Sequence, residues 1–233
     1  MPVLVAWLVH AYTATGVLLG FFSVLLIEHG EYRSALWLNA LAVCVDASDG
    51  TLARAARVKE RIPWFDGARL EDIIDYLNYV LVPSLILYHA ELLPAGSAHW
   101  IAAVPMLASA YGFCQKEAKT SDNYFLGFPS YWNIVVLYLL ALRTPAWLNT
   151  AIVLALAVMV FVPIKYIYPS RTAVFQRVTI ALNIVWGVLV FLTLYYLPDP
   201  PRAIVYASLF FPLYYALLSF FLSAQTQPGR GKV

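Results

Sequence analysis

Charged residues make up only 12% of this 233-residue chain, where a soluble domain carries about 25%. With 62% hydrophobic residues and a mean hydropathy of +0.72, that shortage excludes both a soluble globular domain and a disordered chain. A net charge of +2 offers no basic surface for nucleic acid. Cysteine is as sparse: Cys44 and Cys114 both lie in apolar runs, without metal-ligand spacing or a disulfide framework. The histidines, His10, His29, His89 and His99, are dispersed, which argues against a histidine metal centre, and His10 is expected to be an interfacial residue. There is no G-x-x-x-x-G-K phosphate loop and no lipidation signal. The opening stretch MPVLVAWLVHAYTATG has no basic residue before its apolar run, so an uncleaved first helix is expected.

What fills the chain is apolar sequence. At about 20 residues per crossing there is room for about eight helices. Runs bounded by charges, Pro or Gly place them at 7–27, 35–57, 67–88, 99–116, 125–142, 146–166, 175–197 and 203–223. Period-two alternation is absent, so the expected fold is an all-α polytopic membrane protein. It reads as a single membrane domain, 1–233, without a convincing internal repeat. Basic residues gather at alternate connections: Arg54, Arg57, Lys59, Arg61 and Arg69, then Lys116 and Lys119, then Lys165, Arg171 and Arg177, then Arg230 and Lys232. Arg33, Arg143 and Arg202 fall on the other side. By the positive-inside rule both termini are expected to be cytoplasmic.

Against that background, some acids stand out. Asp46 and Asp49 lie inside the second apolar run, followed by Gly50, Ala53 and Arg54; Glu71, Asp72 and Asp75 lie in the first turns of the third. A carboxylate at mid-membrane costs about 2.5–3.5 kcal/mol on insertion scales, and such groups face a cavity or a partner. Spacings of three and four put Asp46, Asp49, Gly50, Ala53 and Arg54 on one helix face, and Gly67, Glu71, Asp75 and Tyr79 on another. The connection is short, so the two acidic faces can meet at one membrane edge. Carboxylate-only ligation suits Mg²⁺ or Mn²⁺, and four carboxylates suffice for two ions, the arrangement that clamps a phosphoryl group. Gly50, Ala53 and Gly67 leave a smooth surface for a ring or a pyrophosphate, and Arg54 is placed to neutralise a phosphate. The plainer reading is an interfacial salt-bridge network of these acids with Arg54, Arg57, Arg61 and Arg69.

The pattern Asp46-x-x-Asp49-Gly50-x-x-Ala53-Arg54, then twelve residues, then Gly67-x-x-x-Glu71-x-x-x-Asp75 resembles the signature of the CDP-alcohol phosphatidyltransferase family. The resemblance covers nearly the whole chain. The twelve-residue gap, longer than in most members, the phrase DYLNYVLVP and the segment KEAKTSDNYFLGFPSYWN resemble the family's bacterial choline-using branch. One position departs: Glu71 stands where the family has Asp. Asp72 points about 100° away from the Gly67–Asp75 face by helix geometry, so Glu71 is the preferred ligand.

The resemblance implies transfer of the phosphatidyl group from CDP-diacylglycerol to choline, giving phosphatidylcholine and CMP. It implies Asp46, Asp49, Glu71 and Asp75 as ligands of two Mn²⁺ or Mg²⁺ ions, with Asp75 also the base. Asp49, Gly50, Ala53, Arg54 and Gly67 would line the CDP pocket. It further implies a six-helix catalytic core over 1–166 with two added helices over 167–233, a bacterial inner-membrane enzyme with its site at the cytoplasmic face, contact with membrane lipids, and a possible homodimer.

Choline carries a quaternary ammonium that no hydrogen bond grips, so its sites use aromatic faces with a carboxylate nearby. Tyr79, Tyr111, Glu117, Tyr131 and Trp132 are the candidates, set against the tendency of Tyr and Trp to gather at membrane interfaces in any case. Other acceptors (serine, inositol phosphate, glycerol phosphate) remain open, since Lys116, Lys119, Lys165 and Arg171 could hold an anion. A cation transporter would spread its ionisable residues through the membrane depth, whereas these gather at one edge. A purely structural membrane protein would not need the motif.

Overall fold

The computed structural model describes residues 2–226, so Arg230 and Lys232, counted above among the basic residues, lie outside the described residues. Helix dominates. Among the described residues, three helical segments are long and apolar enough to cross a membrane: Pro2–Glu28, Gln176–Tyr195 and Arg202–Gln225. The chain is a helical membrane protein. It divides into two compact units, one running to Met106 and including Tyr131–Leu137, the other formed by Leu107–Ser130 and the chain from Tyr138 onward.

The first unit holds α1 (Pro2–Glu28), α2 (Tyr32–Ala55), the short α3 (Val58–Arg61), α4 (Gly67–Asp75), a π-helical turn over Tyr76–Leu81, α5 (Val82–His89) and the start of α6 (Ala98–Cys114). The buried side of α1 reads Ala6, Val9, His10, Thr13, Gly16, Gly20, Ser23 and Ile27, a single face at helical spacing. Most of these residues are small, as expected where helices approach closely in lipid. A Cβ on Gly16 would lie 2.5 Å from Ile74 Cγ2, and one on Gly20 would lie 2.6 Å from Leu77 Cδ2. Two buried amides tie the unit together. Asn39 Nδ2 donates to the Asn78 carbonyl at 2.6 Å, and Asn78 Nδ2 donates to the carbonyls of Gly16 and Ile74 at 3.0 Å.

The helix expected over 67–88 is therefore not uniform. Pro83 lacks an N–H, and in a regular α-helix its ring would press on the carbonyl of Tyr79 four residues back. The wider turn over Tyr76–Leu81 accommodates that conflict.

The second unit contains the rest of α6, a strand β1 (Tyr124–Leu126), α8 (Ala146–Phe161), β2 (Lys165–Ile167), α9 (Gln176–Tyr195), α10 (Arg202–Ser208) and α11 (Phe210–Thr226); α7 (Trp132–Leu142) begins in the first unit and ends in this one. Here two expected helices are too long. The helix expected over 125–142 starts only at Trp132, and the one expected over 146–166 ends at Phe161. The difference is an antiparallel ladder pairing Tyr124 with Ile167, Phe125 with Tyr166 and Leu126 with Lys165.

Local chemistry explains the change. Gly127 has φ +82° and Ser130 φ +59°, with Pro129 between them and Pro163 beyond α8. A Cβ on Gly127 would lie 2.3 Å from the Val160 carbonyl oxygen, so only glycine fits this approach. The outer edge of β2 is also satisfied: Lys165 N donates to Ser223 Oγ and Ile167 N to Ser219 Oγ, each at 3.1 Å. Paired and capped in this way, non-helical backbone is tolerable beside apolar helices. Asp122 bonds Lys165 Nζ at 2.6 Å, and that bond, followed by one from Thr120, holds its carboxyl below the usual carboxylate range. Pro212 removes a donor from the last helix and accounts for the break between α10 and α11.

Candidate active site

The acids arrive on two helices of the first unit. Asp46 and Asp49 sit in the last three turns of α2, while α4 carries Glu71 and Asp75 one and two turns past its start. α4 is started by Asp66, whose carboxylate accepts the Arg69 N–H at 3.1 Å, as an N-cap does. Asp46, Glu71 and Asp75 each bring a carboxylate oxygen within 4.8 Å of the others, and all three are half-buried. Asp49 is buried; it lines the same small cleft, together with Thr13, Ala42, Val45 and Ile74. Its Oδ2 accepts a hydrogen bond from Thr13 at 2.9 Å. Asp72 is exposed on α4, in line with its rotation away from this face.

Three carboxylates converging from two helices, with neither His nor Cys in the cluster, form a hard oxygen donor set. That set fits Mg²⁺ or Mn²⁺ and does not suit zinc.

The remaining motif positions lie on the same two helices. Gly50 is half-buried and Ala53 packs against Ala6, Val9, Ala56, Val58 and Ile62. Arg54 is exposed and donates to Thr51 Oγ1 at 2.9 Å, while Arg69 pairs with Asp66 at 3.9 Å. Gly67 is required by close approach: a Cβ there would lie 2.5 Å from His10 Cε1.

Of the aromatic candidates, Tyr79 donates its hydroxyl proton to Asp46 Oδ2 at 2.8 Å, and its ring centroid is 6.4 Å from that of Tyr131. Trp132 is fully enclosed, at 0% exposure. Tyr111 and Glu117 belong to the second unit, where both are exposed and the Tyr111 ring lies against Phe161.

Two residues of α1 were not singled out as site residues by sequence reasoning. His10, expected as an interfacial residue, is buried beside Gly67, its ring 4.5 Å from that of Phe65, and among the described residues Nε2 has no hydrogen-bond partner. Thr13 joins the cleft through Asp49. The signal both left in the sequence is their place on the small-residue face of α1.

Fold and site together define a helical membrane protein with a cluster of carboxylates fit to hold a cation. No family model matches the chain. It is 40% identical over 223 residues to the phosphatidylcholine synthase of Legionella pneumophila, covering 93% of this chain and 88% of that protein. It is 36% identical over 216 residues to the phosphatidylcholine synthase of Borreliella burgdorferi, covering 93% and 92%. With that of Pseudomonas aeruginosa it shares 41% identity over 182 residues, covering 78% and 76%. The chain belongs to the phosphatidylcholine synthase family.

Proposed function

We propose that this cleft is where the chain makes phosphatidylcholine, by transferring the phosphatidyl group of CDP-diacylglycerol to choline with release of CMP. The observation that carries the reading is the convergence of Asp46, Glu71 and Asp75 from two helices in a member of this family. Asp46, Asp49, Glu71 and Asp75 would hold two ions, Mn²⁺ or Mg²⁺. Bound there, the ions supply charge neutralisation of the pyrophosphate and of the departing CMP.

The protein's own groups do the rest. Asp75 accepts the hydroxyl proton of choline as its oxygen bonds to the phosphorus that bears the diacylglycerol. The bond from that phosphorus to the bridging oxygen breaks, and the oxygen leaves with CMP. Among the described residues that line the cleft there is no Ser, Cys or His, which favours direct displacement. Asp49, Gly50, Ala53, Arg54 and Gly67 line the CDP pocket, with Gly50 admitting the pyrophosphate closely. Tyr79 and Tyr131 present ring faces to the quaternary ammonium, and the Tyr79–Asp46 hydrogen bond supports that placement next to the acids. Tyr111, Glu117 and Trp132 are weaker candidates, resting on sequence position alone.

The wider arrangement belongs to the same proposal: eight spans, both termini cytoplasmic, and the site at the cytoplasmic face of a bacterial inner membrane. The distribution of basic residues across the connections supports it. A core over 1–166 with two added helices over 167–233, working as a homodimer, completes it.

The test is purified protein with CDP-diacylglycerol, Mn²⁺ and radiolabelled choline, with serine, inositol phosphate and glycerol phosphate in parallel. Labelled lipid and CMP are expected with choline alone. Product with another acceptor reassigns the substrate, and no product with any acceptor overturns the enzyme reading.

A further inference from the structure

We propose that Thr13 is a positioning residue of the metal site, its hydroxyl holding the Asp49 carboxylate in the orientation that a cation needs. This rests on the reading of Asp49 as a ligand. Thr13 lies in mid-helix, where a threonine hydroxyl ordinarily bonds back to the carbonyl four residues earlier. That carbonyl, Val9 O, is 3.3 Å away, whereas Asp49 Oδ2 is 2.9 Å away. A hydroxyl has one proton to give, and the shorter bond, to the carboxylate oxygen, takes it. Both side chains are nearly enclosed, Thr13 at 7% and Asp49 at 5% exposure, so bulk water does not supply the donor if Thr13 is removed.

The other aspartate of α2 has the same arrangement. Tyr79 donates to Asp46 Oδ2 at 2.8 Å. Each α2 carboxylate thus spends one oxygen on a neutral hydroxyl from a different helix, Thr13 on α1 and Tyr79 on the π turn. That contact fixes the plane of the carboxylate and the direction of its second oxygen. Outer donors of this kind orient metal ligands, and their loss typically weakens metal binding by about 10–100-fold. A threonine kept only for its shape would need no such partner. Valine would serve as well there, since it matches threonine in size and branching.

The experiment compares wild type, Thr13→Val and Thr13→Ser as full-length protein in detergent. Mn²⁺ binding is read from the free-ion electron paramagnetic resonance signal, and the Mn²⁺ dependence of turnover is measured alongside. Thr13→Val is expected to weaken Mn²⁺ binding about tenfold and to raise the Mn²⁺ needed for half-maximal turnover by a similar factor. Turnover at saturating Mn²⁺ is largely retained, and Thr13→Ser restores both values. In an Asp49→Asn background, Thr13→Val should add no further weakening. Should Thr13→Val fail to fold by thermal unfolding, Thr13→Ala, which removes the hydroxyl without adding bulk, is read in the same way. Unchanged Mn²⁺ binding in the hydroxyl-free variant overturns the proposal, as does a Thr13→Ser variant as defective as Thr13→Val. Wild-type protein that binds no Mn²⁺ overturns the metal-site reading itself, an outcome distinct from either of these.

Discussion

Replacing Gly67 with alanine puts a methyl carbon 2.5 Å from His10 Cε1, 3.3 Å from Nδ1 and 3.5 Å from Nε2. Carbon atoms rest at about 3.5–4.0 Å, so either the imidazole or the start of α4 must give by about 1 Å. The imidazole has little freedom: it is buried, its centroid 4.5 Å from that of Phe65 and 6.0 Å from that of Trp7. The strain therefore passes to α4, whose next two turns carry Glu71 and Asp75. Overpacking of this size destabilises by about 1–3 kcal/mol, and a shift of about 1 Å in reacting groups lowers turnover about 100-fold. Gly67→Ala is expected to lower both the Tm in detergent and choline-dependent CMP release by these amounts. Adding His10→Ala makes room for the methyl, so the double variant should recover part of both, with a favourable coupling of about 0.5–3 kcal/mol. Wild-type activity and Tm in Gly67→Ala would refute the steric reasoning. A loss that His10→Ala does not relieve would move the cause from helix displacement to a lost contact with CDP.

Asp75→Asn should remove turnover, by at least about 10²–10⁴-fold in the choline assay, whereas Glu71→Asp keeps a carboxylate on the same face of α4 and should keep part of it. Tyr79→Phe keeps the ring and loses the bond to Asp46, so turnover or the Mn²⁺ requirement should suffer while KM for choline changes little; Tyr79→Leu should raise KM. Asp122 has a depressed pKa, so its bond to Lys165 contributes above the ordinary carboxylate range and is lost as pH falls through the lowered value. With both groups partly exposed, Asp122→Asn should cost under about 1 kcal/mol at neutral pH, measured by thermal unfolding, and the difference should vanish in acid.

The acids were legible because a carboxylate inside an apolar run has few harmless explanations, and four of them at helical spacing have fewer still. Helical spacing also separated Glu71 from Asp72, and the structure puts Asp72 on the exposed side. Hydropathy located the helices but not their ends. Tyr124–Leu126 is as apolar as the run it adjoins, Lys165–Ile167 reads as the charged end of a span, and nothing local reveals that each satisfies the other's backbone. The π turn depends on a steric conflict between Pro83 and the Tyr79 carbonyl, which composition does not express. Thr13 and His10 were hidden for a different reason. A threonine or a histidine on the small-residue face of a helix acquires its role only from what packs against it, here Asp49 and Gly67.

A π turn holds one more residue than the α-helix on either side of it. Loss of a single residue within Tyr76–Leu81 would close the turn while leaving α4 and α5 in their existing phases. Loss of a residue between Gly67 and Asp75 would instead swing the acids past one another by about 100°. The helical stretch from Gly67 to His89 therefore has one place where chain length can vary by insertion or deletion without dispersing the carboxylates. The fit of Asn78 to Gly16 and of Tyr79 to Asp46 is what such a change would forfeit.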